Sequence, residues 1–265
     1  MTRKAICSAL VMFALATNSF GAVITNVTIT ALFHNPTDDT PGVQVGDPAV
    51  TPAGAGPVTT VSWGVPPGAL GQSNYRFAAI NQPAVPNIGG PINVNPPAVT
   101  PYFTLGTFTH NNFVVDNPYL TSVLLDVILS FDVDGVASGA HTFTYLFQHT
   151  ETPNQIETAP PGIPICPFAT PKGAECTDRV VLSNSGGPQS FSIGGAVFTL
   201  ELALQKGGIN LSEFITNEGQ SNDALLVGRF SATDSPVPEP ATAGAMGAAL
   251  VALGAFRFRR SRGSN

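Results

Sequence analysis

Apolar and polar positions alternate in twos along most of this chain, the pattern of strands that bury one face, and stretches of helical period are scarce. Residues 23–33 alternate Val, Thr and Ile until His34-Asn35-Pro36 interrupts them, which predicts a first strand. Two short runs follow, 58–63 and 75–80, separated by Gly64-Val65-Pro66-Pro67-Gly68. The prolines between 82 and 100 predict a loop there. Residues 102–108 alternate aromatic with small side chains, and 120–133 is the most apolar run of the middle of the chain. Asp126 and Asp132 within it predict a long antiparallel strand with a bulge or a wet face, not a buried helix. Asp134-Gly135 predicts a turn, with 141–149 as the returning arm of a hairpin. Runs at 179–182, 190–193, 196–204 and 225–232 bring the count to about ten strands, two of them joined by Gly194-Gly195.

Many short antiparallel strands predict an all-β fold, an antiparallel β-sandwich or jelly roll over residues 23–232, with a closed barrel as the alternative. The 27 glycines and 24 prolines among 265 residues suit such a turn-rich fold. Residues 233–236 read as a spacer.

The two ends break the alternation. Residues 1–22 carry Arg3 and Lys4, then a short apolar stretch, then the small residues Ser19, Gly21 and Ala22, the three zones of a signal peptide. Residues 241–256 hold no charge and are mostly Ala, Leu, Val and Gly. As a helix they would reach about 24 Å, short of a hydrocarbon core of about 30 Å unless the bilayer thins and flanking arginines snorkel. Arg257, Arg259, Arg260 and Arg262 would hold their end on the cytoplasmic side, placing the folded domain on the other face. The fold class therefore includes an N-terminal signal helix and a single C-terminal transmembrane helix.

Setting these ends aside changes the charge. Of the 11 basic residues only Arg76, Lys172, Arg179, Lys206 and Arg229 lie in the middle, facing every acid except Glu239, so the domain carries about −11. Such a surface repels phosphate backbones and argues against nucleic acid as a partner. Cys7 falls in the signal, which leaves Cys166 and Cys176 as an even pair that an oxidising compartment would join. A bridge closing so short a loop should stabilise by about 2–3 kcal/mol.

Val237-Pro238-Glu239-Pro240, one apolar span and a terminal arginine cluster together resemble the PEP-CTERM sorting signal of exopolysaccharide-producing Gram-negative bacteria, here over residues 237–265. The resemblance implies export through the Sec machinery and transient anchoring in the inner membrane. It also implies removal of the tail by an exosortase, a membrane-embedded cysteine protease, and a final place at the cell surface or in the exopolysaccharide matrix. Within the domain, Gly106-Thr107-Phe108-Thr109-His110-Asn111-Asn112 carries the Thr-His-x-Asn signature of the THxN group of such proteins and resembles the choice-of-anchor K type of domain. Ser62-Trp63-Gly64 and Gly71-Gln72-Ser73 are arranged as that resemblance implies. No activity comes with it.

His110 is the strongest single candidate for chemistry, as a general base or a ligand. The alternative, which the local sequence favours, is that Thr109, His110 and Asn112 satisfy the backbone of a tight turn. His34, His141 and His149 are scattered; the last two share a strand face but stand about 26 Å apart when extended. No zincin, nucleophile-elbow or phosphate-loop motif is found, and the chain reads as a non-enzyme with no required cofactor. Calcium is a possible ligand of Asp132 and Asp134, or of Asp38-Asp39. The rival functions are a carbohydrate-binding or adhesin-like module, which would need a platform built from Trp63, Tyr75, Tyr102 and Tyr119, and a matrix hydrolase, which would need converging acids.

Overall fold

The computed structural model describes residues 22–39, 57–69, 71–80, 92–94, 98–158, 165–184, 189–193 and 196–234. Apart from Ala22, the predicted signal peptide lies outside the described residues, as does the whole sorting segment 237–265. The described chain is all strand and turn. In order it forms β1 (Ala22–Asp38), β2 (Val58–Trp63), β3 (Ser73–Ala79), β4 (Ile92–Val94), β5 (Ala98–Val99), β6 (Phe103–Asn112) and β7 (Leu120–Val133). There follow β8 (Val136–Thr150), β9 (Asp178–Asn184), β10 (Gln189–Ile193), β11 (Ala196–Lys206), β12 (Ile209–Leu211), β13 (Phe214–Thr216) and β14 (Gln220–Asp234).

Two antiparallel sheets pack face to face in a sandwich-like arrangement. One runs β13-β9-β8-β7-β1-β4; the other runs β10-β11-β14-β6-β3-β2, with β12 beside β11 and β5 beside β14. Strand β7 shows how the alternation is used. Val123, Leu125, Val127, Leu129, Phe131 and Val133 all point into the core, while Asp126 and Asp132 face outward. The pairing of β7 with β8 also slips once between Ser130 and Asp132, so both the wet face and the bulge are present. Asp134 and Gly135 have φ of 51° and 79°, the left-handed pair that a two-residue hairpin needs.

Four expectations are corrected. The first strand does not stop at His34-Asn35-Pro36. Asn35 takes φ 48° and the register shifts between His34 and Thr37, so a bulge absorbs Pro36 and pairing with β7 resumes to Asp38. The proline-rich stretch 82–100 contains β4 and β5, each short enough to fit between prolines. Thr233 and Asp234 are not spacer but the end of β14, paired with Val197 and Ala196. Finally, the expected count of about ten strands rises to 14 among the described residues, since strands such as β12 and β13 have three residues each, too few for alternation to register.

Aromatic rings fill the space between the sheets. Phe33, Phe77, Phe108, Phe147 and Phe214 come from both sheets and are closed off from solvent. Gly106 lets β6 run close to β3. A Cβ there would overlap the carbonyl oxygen of Ala78 and the ring of Phe77. Gly106→Ala is therefore expected to destabilise the domain by about 1–3 kcal/mol, because the backbone oxygen cannot swing aside. Urea denaturation of the variant against the parent measures this.

Candidate functional site

At one end of the sandwich the core stops being apolar. Strand β6 turns Phe108, His110 and Asn112 inward, and its neighbour β3 places Tyr75 opposite His110. From the facing sheet, β8 carries His149 one residue before its end at Thr150 and is followed by Glu151 and Thr152, and β9 begins with Asp178. Strand β13 pairs with β9 so that Thr216 lies beside Asp178, after which Asn217–Gly219 carries the chain across to β14 in the other sheet. Asn222 clamps that crossing. Its Oδ1 accepts from the Asn217 N–H at 2.9 Å and its Nδ2 donates to the Asn217 carbonyl at 2.9 Å. Glu218 rides on the crossing and points into the same centre.

Hydrogen bonds fix most of these groups in one orientation. Thr216 Oγ1 lies 2.9 Å from His110 Nδ1. The Thr152 N–H and hydroxyl both donate to Asp178 Oδ1, at 2.8 and 3.0 Å. Tyr75 Oη meets His149 Nδ1 at 2.6 Å, and His149 Nε2 meets Glu151 Oε2 at 2.9 Å. Trp63 Nε1 donates to that same Glu151 oxygen at 3.3 Å. The opposite atom of several groups is left without a partner: His110 Nε2, Asp178 Oδ2, Glu151 Oε1 and both oxygens of Glu218. Buried polar atoms ordinarily find partners, so this many in one place calls for a physical reason.

The electrostatics follow from burial. His110 is wholly buried, which holds its pKa well below the usual histidine value, with His149 adding to the effect. Burial first and the nearby Glu151 second raise the Asp178 carboxyl to about 7, against the opposing effects of His149 and the Thr152 hydrogen bonds. Burial is also the main cause that lifts Glu218 to about 8, helped by Asp178, Glu151 and Glu175; the Gly219 N–H, outside hydrogen-bonding geometry, offsets little. Among the described residues, two groups of potential metal ligands share Asp178: His110, His149 and Asp178, and Glu151, Asp178 and Glu218. Within each group the ligand atoms lie within 4.8 Å of one another.

No protein-family model and no curated protein matches this chain.

Residues singled out in the sequence are placed as follows. The Trp63 ring lies 5.4 Å from His110 and 5.1 Å from His149. Gly64 has φ 78°, and its missing side chain leaves room for Val115; Gln72 Nε2 donates to its carbonyl at 2.9 Å. Ser73 Oγ donates to the Phe113 carbonyl at 2.8 Å and accepts from the Phe113 N–H. The three signature segments thus meet at this end of the domain. His110 is not in a turn, however. Thr107, Thr109, His110 and Asn112 all lie within β6, which is hydrogen-bonded on both sides, so no turn is there for them to satisfy. Thr109 Oγ1 instead donates to Asp223 at 2.6 Å, and Asn112 is buried with neither amide atom bonded.

The other candidates lie apart. Asp132 accepts from Asn26 Nδ2 at 2.7 Å and Asp134 from the Val23 N–H at 2.9 Å, so both oxygens named for calcium tie β1 to the β7–β8 hairpin. His141 packs on Phe191 at 4.3 Å, and His34 Nε2 lies 3.1 Å from Asp126. Trp63 and Tyr75 are interior, which removes them from any exposed platform; Tyr102 instead lies under the Arg229 guanidinium. Cys166 and Cys176 are joined as a disulfide, and Glu157 accepts the N–H of Ile165 and of Cys166 at 3.0 Å beside it. Sequence reasoning missed Glu151, Asp178, Thr216 and Glu218. No spacing ties them to His110, since the ends of three different strands, β8, β9 and β13, deliver them.

Proposed function

We propose that this chain is an exported, non-enzymatic protein of the cell surface or exopolysaccharide matrix, led out by a signal helix at 1–22 and held for a time in the inner membrane by a helix at 241–256. An exosortase-type protease then removes the tail near Pro238-Glu239-Pro240. The order of the triplet, the uncharged span and Arg257, Arg259, Arg260 and Arg262 carries this reading. Two features of the domain support it. The disulfide suits an oxidising compartment, and β14 ends at Asp234, just before the sorting segment begins. The convergent acids Asp178 and Glu218 are buried, out of reach of a polysaccharide chain, which supports a domain without hydrolase activity.

Mass spectrometry of the mature protein from a strain possessing an exosortase is the test. The C-terminus is expected upstream of Ala241, and Glu239→Ala is expected to leave the tail on. A mature protein still carrying Arg257 to Arg262 overturns the proposal.

A further inference from the structure

We propose that the buried centre between β6, β9 and the β13–β14 crossing holds one divalent first-row transition ion, with His110 and Asp178 as ligands and the carboxylates of Glu218 and Glu151, which gather around Asp178, drawn in on binding. This goes beyond the sorting function and does not depend on it.

A group of acids alone would not justify a site, since carboxylates are often merely solvated. These are not. Asp178 is 0 % exposed and Glu218 is 8 % exposed. The independent observation is His110, also 0 % exposed, whose Nε2 has no partner although Nδ1 is held by Thr216. That arrangement is how a ligating histidine is normally oriented, with one nitrogen fixed by a neighbour and the other free for the metal. Asp178 repeats it with oxygens: Thr152 occupies Oδ1 and Oδ2 is left over. The residues come from separate elements, yet one ligand atom from each of His110, His149 and Asp178 lies within 4.8 Å of the others, and so does one from each of Asp178, Glu151 and Glu218.

Among the described residues, no lysine or arginine figures among the charges that act on Asp178 or Glu218. Arg179 directs its guanidinium to Glu213, and Arg229 pairs with Glu201. The ligand set decides the kind of ion. Calcium and magnesium select all-oxygen sites, whereas imidazole combined with carboxylate suits zinc and its neighbours. Because the ligands lie in the interior, the ion would be structural. It would fasten the short strand β13 and its crossing to β6 and β9, which otherwise rest on few backbone hydrogen bonds.

The test uses the full chain stripped with a chelator and titrated with zinc, following calorimetry and the melting temperature. One equivalent is expected to bind and to raise the melting temperature, and cobalt in its place is expected to give the visible absorption of a low-symmetry site. His110→Gln should abolish this binding, and Thr216→Val should weaken it by about 10–100-fold by releasing the imidazole. If His110→Gln does not fold, Glu218→Gln, at the rim of the site, provides the same comparison. Asp132→Asn with Asp134→Asn should leave binding unchanged. No zinc-dependent shift, zinc binding that survives both His110→Gln and Glu218→Gln, or binding of calcium in preference to zinc would each overturn the assignment.

Discussion

Phe108→Ala is expected to lower the unfolding free energy by about 3–5 kcal/mol, enough to threaten a domain of ordinary stability. Phe108 is fully buried and belongs to β6, yet its ring stacks at 4.9 Å on Phe147 of the opposite sheet. It also touches Tyr75 at 5.0 Å and Phe214 of β13 at 6.2 Å. Removing it would open a cavity that three elements cannot close together, because the hydrogen-bonded ladders hold their spacing. It would also loosen the floor beneath His110. Urea denaturation followed by the fluorescence of Trp63, the single tryptophan, reads the change from inside the affected region. A loss under about 1 kcal/mol would mean that the rings repack freely, contrary to the interlock described.

The second large effect is on pH. For chelator-treated protein, stability is expected to fall between pH 6.5 and pH 9 by on the order of 2 kcal/mol. Asp178 is raised to about 7 and Glu218 to about 8 in the folded state, so both bind protons more tightly than in the unfolded chain. Their contribution to stability is complete below the unfolded carboxylate range and is lost as pH rises through 7 and 8. His110 has the opposite sign. Its folded pKa is depressed, so it penalises folding as pH falls below the ordinary histidine value and is neutral above it. Choosing a window above pH 6.5 therefore isolates the carboxylates. Glu218→Gln should flatten most of the decline above pH 7.5. A parent protein whose urea midpoint stays constant from pH 6.5 to 9 would show that the centre does not hold these protons.

Legibility in the sequence followed the range of the interactions. Strand β7 was readable because Val123 to Val133 must put every second side chain into the core, and that constraint is written in neighbouring residues. The Asp134-Gly135 turn was readable because only certain residues tolerate positive φ. Strand β1 was cut short because Pro36 looks like a terminator, and only its partner β7 supplies the bulge that accommodates it. His110 stands out in the sequence, but whether it serves a turn or a site is not legible there, since nothing local reveals that β3 and β14 flank it. Along the sequence His149 shares a strand face with His141, whereas in the fold its ring meets Tyr75 and Trp63, brought from elsewhere, as well as the nearby Glu151.

By itself, then, the sequence determined the all-β class and the pairing of Cys166 with Cys176, and it motivates the proposed sorting role of the two ends. Alternation, turn chemistry, two cysteines ten residues apart and runs of apolar or charged residues all act between near neighbours along the chain. The tertiary structure alone decided that His110, Glu151, Asp178 and Glu218 share one buried centre. Their meeting depends on two sheets closing over each other and on β13 crossing between them, and the energy of burying those charges exists only once both sheets are in place.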